Sequence, residues 1–282
     1  MTNTQWLIDS HTQVGIATAY EITGLLHQEQ SPYQHIAVYD STQFGAILTL
    51  DNIIQLSTRD NFFYHEMLVH PALYKHKNPK RVAIVGGGDC GTLREVLRHD
   101  TILQAIQIEL DERVTAVSAQ YFPELCEKNT DHRAQLIFDD GIAWMQNTAS
   151  ATLDIIIIDS TDPIGPAEGL FGLAFYQQCR RVLKADGILV HQSESPLTHL
   201  PLIKQMQSAM LAAGFGQCQT LHFPHPSYPS GWWSCTLASV NQDLHYFREQ
   251  AAAKQVFATQ YYNSGTHHAS GQLPPYLRNA LG

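Results

Sequence analysis

Short apolar segments alternate with helical segments through the middle of the chain, and this alternation restricts the fold more than any other feature. Its clearest member is Ile155–Ile158, a continuous apolar run between two aspartates. A strand that is apolar on both faces is typical of the centre of a parallel sheet. Strands and helices in alternation predict a doubly wound α/β sheet. The predicted strands are 81–86, 105–109, 134–138, 154–158, 187–191 and 235–240, and the predicted helices are 92–99, 112–121, 142–147, 171–183 and 200–213.

The first 60 residues carry a different pattern, which predicts β-structure. Two strand-like runs, 34–39 and 45–51, flank a segment of turn composition and predict a hairpin, and 53–57 predicts a further strand. We therefore expect an N-terminal β-strand domain at 1–60 and the α/β domain at 61–282.

The junction between these two parts predicts a helix and a connector. Residues 62–74 have apolar residues at helical spacing, and Pro71 is expected to end or kink that helix. The basic segment 75–81 is expected to be a solvated loop, with a phosphate-binding patch as the weaker alternative.

A glycine-rich loop follows the first strand of the α/β part. Gly86–Gly91 fits the pattern G-x-G-x-x-G between a strand and a helix, and Glu109 ends the next strand. In this context Gly86 and Gly88 allow close approach of a ligand, and the acid can hold ribose hydroxyls. The sequence therefore predicts a nucleoside site.

Asp89 within this loop distinguishes between kinds of nucleoside. The loop and helix N-terminus of a dinucleotide site face a pyrophosphate, which a carboxylate would repel. A cationic ligand of the S-adenosylmethionine type, which has an ammonium, a sulfonium and no phosphate, suits Asp89 better. The alternative is that Asp89 only caps the following helix.

Asp159 and Asp162 follow the central isoleucine run directly. They are therefore expected at the carboxyl ends of the strands, where open α/β sheets bind ligands. Together with Asp89 they predict an anionic pocket that accepts amines and rejects carboxylates, and Asp139–Gly141 adds a further acidic loop at the same edge. The alternative for both aspartates is turn formation before Pro163.

Charge and composition exclude several classes of protein. The 282 residues have a net charge of −9, which argues against a nucleic-acid or membrane-surface partner. The start of the chain lacks the pattern of a signal peptide, and the longest apolar run is too short to span a bilayer. The five cysteines have no CxxC spacing, so neither a disulfide framework nor a zinc site is expected. We expect a cytoplasmic protein without a metal.

Several motifs, in one order along nearly the whole chain, give the sequence a specific resemblance. It resembles the polyamine aminopropyltransferases, most closely the spermidine synthases. The motifs are Tyr33–Ile36, Tyr64–Glu66, Gly86–Asp89, Leu93–Val96, Asp159–Pro163, Gly165–Ala167, Tyr228–Gly231, Tyr261–Asn263 and Leu273–Pro274.

The resemblance implies a reaction and a fold. The donor would be decarboxylated S-adenosylmethionine and the acceptor putrescine, and the products would be spermidine and 5′-methylthioadenosine. The donor is a co-substrate, and no further cofactor is implied. The fold would be a Rossmann-like, methyltransferase-type sheet after a small N-terminal β-domain, in a homodimer or homotetramer.

The resemblance also implies roles for individual residues. Asp159 would be the base, and Asp89 would hold the aminopropyl ammonium. The donor nucleoside would contact Gln34, Glu109 at the ribose, Asp140 and Gly141 at the adenine, and Pro166 nearby. The amine channel would be lined by Gln55, Tyr64, His65, Asp89, Asp162, Tyr228 and Trp233.

Three positions depart from the usual family pattern. Cys90 and Ser193 stand where glycine is usual, and Asn61 stands where glutamate is common.

Other functions also remain open on the residues alone. They are an S-adenosylmethionine-dependent amine methyltransferase, a polyamine- or nucleoside-binding protein, and aminopropyl transfer to another amine such as cadaverine or agmatine.

Overall fold

The computed structural model describes residues 4–163 and 165–281, except for the side chain of Pro166. Within these ranges, no helix is both long enough and apolar enough to cross a bilayer. The chain forms two sheets. The strands are β1 Gln5–His11, β2 Ile16–Gln30, β3 His35–Ser41, β4 Gly45–Leu50, β5 Ile53–Ser57, β6 Arg81–Gly86, β7 Gln104–Glu109, β8 Ala134–Phe138, β9 Leu153–Asp159, β10 Leu183–Gln192, β11 Gln217–Pro224 and β12 Trp232–Ser239.

The N-terminal sheet is an antiparallel meander in the order β1-β2-β3-β4-β5. The predicted hairpin forms between β3 and β4, and β5 completes that edge of the sheet. Strands β1 and β2 lie outside the strand-like runs identified in the sequence. The expected domain boundary near residue 60 falls in the short turn between β5 and the first helix.

The second sheet has the order β11-β12-β10-β9-β6-β7-β8. Strands β6 to β10 are parallel, and β12 is antiparallel to both of its neighbours. The predicted doubly wound α/β fold is therefore confirmed. Alternate members of the isoleucine run point to opposite faces, so that Ile155 and Ile157 join one core cluster and Ile156 and Ile158 the other.

Helices cover both faces of this sheet and a C-terminal segment adds three short ones. They are α1 Asn61–Lys75, α2 Gly91–Leu97, α3 Glu112–Tyr121, α4 Gly141–Asn147, α5 Leu173–Val182, α6 Leu200–Ala212, α7 Glu249–Ala253, α8 Ser264–Ser270 and α9 Pro275–Leu281, with 3₁₀ turns at Gly165–Phe171 and Pro229–Gly231.

The prediction that Pro71 ends the first helix is wrong, because α1 continues to Lys75. Proline has no amide hydrogen, so the carbonyl four residues earlier, that of Met67, loses its helical partner. The thiol of Cys235 approaches that carbonyl at 3.6 Å and takes the place of the missing donor. The helix therefore passes through the proline as one element.

The prediction of a solvated loop is wrong for the start of segment 75–81. Lys75 is only 3% exposed, and its ammonium donates to the carbonyl of Leu244. Burial lowers the pKa of Lys75 to about 8. At the other end, the amides of Lys80 and Arg81 donate to the Asp154 carboxylate. The segment is thus joined to the core at both of its ends.

Contacts between the two sheets position the site. The Tyr20 hydroxyl on β2 donates to the carbonyl of Ser227 at 2.9 Å. The Asp111 carboxylate, which caps α3, accepts hydrogen bonds from Ser31 and Gln34 in the β2–β3 turn. The N-terminal sheet is therefore held over the carboxyl edge of the parallel strands.

Candidate active site

The carboxyl ends of β6, β7 and β9 open into a cavity of about 420 Å³ that the N-terminal sheet covers. This volume is in the range of small-molecule sites in proteins. A second cavity, of about 30 Å³, adjoins it and shares Gln55, Tyr64, Asp162 and Tyr228 with it.

Nearly all of the residues that the sequence analysis selected line the larger cavity. Trp233 lines only the smaller one, and the side chain of Pro166 lies outside the described residues. Those lining the larger cavity are Gln34, Gln55, Tyr64, His65, Gly86, Gly88, Asp89, Glu109, Asp140, Gly141, Asp159, Asp162 and Tyr228.

Asp159 ends β9 and is held by hydrogen bonds from two other elements. Its Oδ1 accepts from the Tyr64 hydroxyl of α1 at 2.7 Å, and its Oδ2 accepts from Thr92 Oγ1 of α2 at 2.6 Å. Its carbonyl accepts from the amide of Gly87 at 2.8 Å. Because β6 and β9 are neighbours in the sheet, these groups converge on one carboxylate. Thr92 was not selected from the sequence.

The environment of Asp159 makes it more basic than an ordinary aspartate. Burial raises its pKa, the charge of Asp89 raises it further, and the resulting pKa is about 6. His65 and the donors Thr92 and Tyr64 act in the opposite direction. Burial also keeps the pKa of Tyr64 well above its usual value, so its phenol stays a hydrogen-bond donor.

Asp89 forms a charged pair with His65 across the glycine loop. Its Oδ1 accepts from the Gly91 amide at 2.6 Å and lies 3.1 Å from His65 Nε2. Burial by itself would raise the pKa of Asp89, but His65 and Gly91 outweigh burial and lower it. Burial would likewise lower the pKa of His65, and Asp89 reverses this. Asp89 thus accepts from the first amide of α2, in line with the alternative that it caps this helix, and it also lines the cavity.

The glycines of the loop allow this close packing. A Cβ at Gly86, which has a φ of +85°, would lie 2.2 Å from the carbonyl oxygen of Asp159. A Cβ at Gly91 would lie 2.3 Å from the ring of His65. Neither position tolerates a side chain while the loop stays in contact with β9 and α1.

The opposite side of the cavity carries the residues expected at the nucleoside. Glu109 ends β7, and burial raises its pKa to about 7. Its Oε1 accepts from the Asp111 amide, and Asp111 in turn accepts from Gln34 at 3.0 Å. Asp140 caps α4 by accepting from the Ile142 amide at 2.7 Å.

An aromatic wall borders the part of the cavity that continues into the smaller one. The Tyr228 ring stacks on His225 with centroids 3.7 Å apart and meets Trp233 edge-on at 4.6 Å. The Tyr228 hydroxyl donates to the carbonyl of Gln55. Aromatic faces of this kind attract alkylammonium groups.

The sequence analysis missed two ionisable residues beside this wall, Glu194 and His11. Burial and the neighbouring Asp162 raise the pKa of Glu194 well above its usual value. Its φ is +63°, an uncommon backbone conformation for a residue other than glycine. Because Glu194 lies two residues after the end of β10, the rule that ligands bind at the carboxyl ends of strands could have found it. His11 lies on β1, and nothing in the sequence signals its position.

The three departures from the family pattern lie in or near the site. Cys90 has a φ of +69°, which explains why glycine is usual there, and it is fully buried. Asn61 lines the larger cavity and donates to the carbonyl of Ser57 at 2.9 Å. Ser193 forms a hydroxyl pair with Ser234 at 2.9 Å.

Among the described residues, one group outside the cavity has the spacing of metal ligands. The ligand atoms of His76, Asp154 and Asp186 lie within 4.8 Å of one another. However, Asp154 already accepts from Lys184 at 2.7 Å. His76 Nδ1 accepts from the Asn78 amide, which leaves the proton on Nε2, the atom that faces Asp186. With the proton of His76 on Nε2 and Asp154 already paired, the group does not present three available ligand atoms.

The family comparisons agree with this geometry. The family model described as the spermine/spermidine synthase domain matches residues 61–247, and the one described as the spermidine synthase tetramerisation domain matches residues 5–58. The polyamine aminopropyltransferase of Methylococcus capsulatus is 52% identical over 276 residues, which cover 98% of this chain and 96% of that protein. The polyamine aminopropyltransferase of Xanthomonas campestris pv. campestris is 51% identical over 282 residues, which cover 100% and 99%.

Solved structures show the same similarity. A crystal structure of a spermidine synthase in complex with the transition-state analogue AdoDATO has a TM-score of 0.95 and 33% identity, covering 100% of this chain and 96% of that chain. The spermidine synthase from Thermotoga maritima has a TM-score of 0.94 and 33% identity, covering 99% and 95%. The chain belongs to the spermine/spermidine synthase family, as the resemblance in its motifs implied, and it is an enzyme of that family.

The charges around Asp159 determine the pH at which its carboxyl titrates. We expect the Asp159 carboxyl to titrate near pH 6. Asp89→Asn should lower this pKa because it removes a neighbouring negative charge, and His65→Gln should raise it because it removes a positive one. Carboxyl ¹³C shifts measured against pH would show both changes. Shifts of the same sign in the two variants would contradict the assignment.

Proposed function

We propose that the protein transfers the aminopropyl group of decarboxylated S-adenosylmethionine to putrescine, forming spermidine and 5′-methylthioadenosine. The observation that carries this proposal is the buried Asp159, held between a loop suited to a nucleoside and a channel suited to an amine. The names of the relatives, polyamine aminopropyltransferases and spermidine synthases, support the same reaction.

The donor occupies the glycine-loop side of the cavity in this proposal. Glu109 accepts hydrogen bonds from the ribose hydroxyls, Gln34 contacts the nucleoside, and Asp140 and Gly141 contact the adenine. Pro166 completes the adenine pocket as an expectation from the family pattern. Asp89 holds the ammonium of the aminopropyl group, and its pairing with His65 keeps it ionised for that purpose.

The acceptor occupies the side nearer the aromatic wall. Its reacting nitrogen lies at Asp159, and its far ammonium lies toward Asp162. The channel is formed by Gln55, Tyr64, His65, Asp89, Asp162, Tyr228 and Trp233. Glu194 adds a carboxyl near Asp162 whose raised pKa favours the protonated form.

The chemistry is a single displacement. The acceptor ammonium first gives a proton to Asp159. The freed nitrogen lone pair then attacks the methylene next to the sulfonium, the carbon–sulfur bond breaks, and its electron pair stays on the sulfur of neutral methylthioadenosine. Holding both reactants in line supplies much of the rate, on the order of 7 kcal/mol or more.

Proton transfer is the demanding step. An alkylammonium has a pKa of about 10.4, whereas that of Asp159 is raised to about 6. The remaining gap of about four pKa units narrows in the complex because burial of the acceptor disfavours its charged form.

The proposal includes assembly into a homodimer or homotetramer through the N-terminal sheet. Trp6 and Ile8 on β1 are 55% and 59% exposed, although such residues usually avoid solvent. Residues 5–58 also match a family model named for tetramerisation. A monomeric mass by light scattering would contradict this part.

The cytoplasmic location inferred from the cysteine pattern stays a prediction.

The proposal is tested by a product assay. Decarboxylated S-adenosylmethionine is supplied with putrescine, cadaverine, agmatine or spermidine, and methylthioadenosine and the new amine are quantified. We expect spermidine from putrescine to form fastest. Faster turnover of another amine would change the acceptor and keep the mechanism. Donor binding without any product would favour a methyltransferase or a binding protein.

Asp159→Asn should lower kcat by about 10²-fold or more, in the range of general-base losses. The amide still accepts from Tyr64 or Thr92, so the fold should be retained. Steady-state kinetics at pH 7.5 measure the change, and Asp100→Asn, at an exposed aspartate after α2, is the matched control. Near-normal turnover in the Asp159 variant would remove this residue from the role of base.

Asp89→Asn should reduce the preference for the decarboxylated donor over S-adenosylmethionine by about tenfold or more. S-adenosylmethionine carries an additional carboxylate at the end of the chain that Asp89 holds, and two like charges in contact repel. Calorimetric binding of both compounds to the wild type, Asp89→Asn and Asp100→Asn measures the ratio. An unchanged ratio of the two affinities in the Asp89 variant would contradict this explanation of donor choice.

A further inference from the structure

The amine side of the site ends in the smaller cavity, and the size of this cavity limits what can enter it. Its volume is about 30 Å³, enough for about one or two water-sized groups. The residues that belong to it and not to the larger cavity include His11, Gln192 and Trp233. It is therefore the narrow end of the site, with room for about one ammonium.

His11 lies at this end between two carboxylates. The side chains of β1 alternate, so that Leu7 and Asp9 are buried while Trp6 and Ile8 are exposed, and His11 lies on the inward side. Its Nε2 is 3.0 Å from the Asp9 carboxylate, and its Nδ1 is 3.9 Å from the Asp162 carboxylate.

Two carboxylates, those of Asp9 and Asp162, face the single imidazole of His11 at this end. The hydrogen bond to Asp9 raises the pKa of His11 against the opposing effect of burial, and the raised pKa favours the imidazolium. Burial lowers the pKa of the neighbouring His199, and burial together with Asp162 raises that of Glu194, so the neutral form of each is favoured.

We propose that His11 is the end wall of the acceptor channel and restricts the acceptor to amines with a single ammonium beyond the reacting nitrogen. This inference rests on the proposed function. The far ammonium of a diamine pairs with the Asp162 carboxylate, the second of the two carboxylates that face His11. A triamine would bring a further cation against the imidazolium, and like charges in contact disfavour binding.

Because His11 lies near the surface, substitution by a small side chain would remove the end wall. Its side chain is 10% exposed, so the ring lies between the narrow end and the protein surface. Replacing it with a small side chain would open a path through which the tail of a longer amine could leave the protein. His11 therefore acts through both its charge and its bulk.

The test compares kcat/KM for spermidine and for putrescine in His11→Ala, which removes charge and bulk, and His11→Gln, which removes the charge and keeps a donor for Asp9. His27→Gln is the matched control. His27 also pairs with a carboxylate two residues away, Glu29 at 3.0 Å, in the same sheet, and it lines neither cavity.

We expect the spermidine-to-putrescine ratio to rise about tenfold or more in His11→Ala, less in His11→Gln and not at all in His27→Gln. Equal losses for both amines, with an unchanged ratio in both His11 variants, would overturn the inference and leave His11 a purely structural role. Absence of product from the wild type with every amine would instead overturn the proposed function, and this inference with it.

Discussion

The site depends on one buried carboxylate at the junction of two neighbouring parallel strands. Asp159 is bound through its carbonyl to the glycine loop and through its carboxylate to α1 and α2. Placing Asp89 in the same cavity raises the electrostatic energy of the site, since two negative charges in a poorly hydrated space repel each other. His65 offsets part of this repulsion. A cationic ligand would offset more, so the site favours one.

The polar neighbours of Asp159 have distinct consequences. Hydrogen bonds from Tyr64 and Thr92 orient the carboxylate and oppose the rise in its pKa. Burial and the charge of Asp89 raise it. A substitution of Tyr64 or Thr92 would therefore change both the orientation of the Asp159 carboxylate and its pKa. A substitution of Asp89 would mainly change the pKa.

Much of this arrangement was predictable from the sequence because it follows from local rules. The isoleucine run indicated the central strand, and the rule that ligands bind at the carboxyl ends of strands selected Asp159 and Asp162. The glycine pattern selected Asp89, and the position of Glu109 at the end of the next strand selected Glu109. Each of these inferences needs only a short segment of chain and the topology of an α/β sheet.

The remainder required contacts between distant segments. The helix passes through Pro71 because a thiol some 160 residues later meets the freed carbonyl. Lys75 is buried because Leu244 provides a carbonyl for it. No local signal indicated β1 or the position of His11, whose approach to Asp162 depends on how the two sheets meet. The family pattern supplied the roles of Gln34 and Gln55, which no spacing rule would have selected.

The two ends of the cavity come from different sheets, and this separation has a consequence for how such enzymes diversify. The groups around the reacting atoms stand on the ends of interior strands, where almost any change disturbs the core. The narrow end is lined by His11 of β1, an edge strand with a neighbour on one side only. Substitutions there alter few other contacts. The range of accepted amines can therefore drift during evolution, or be redesigned, while the reaction chemistry stays intact.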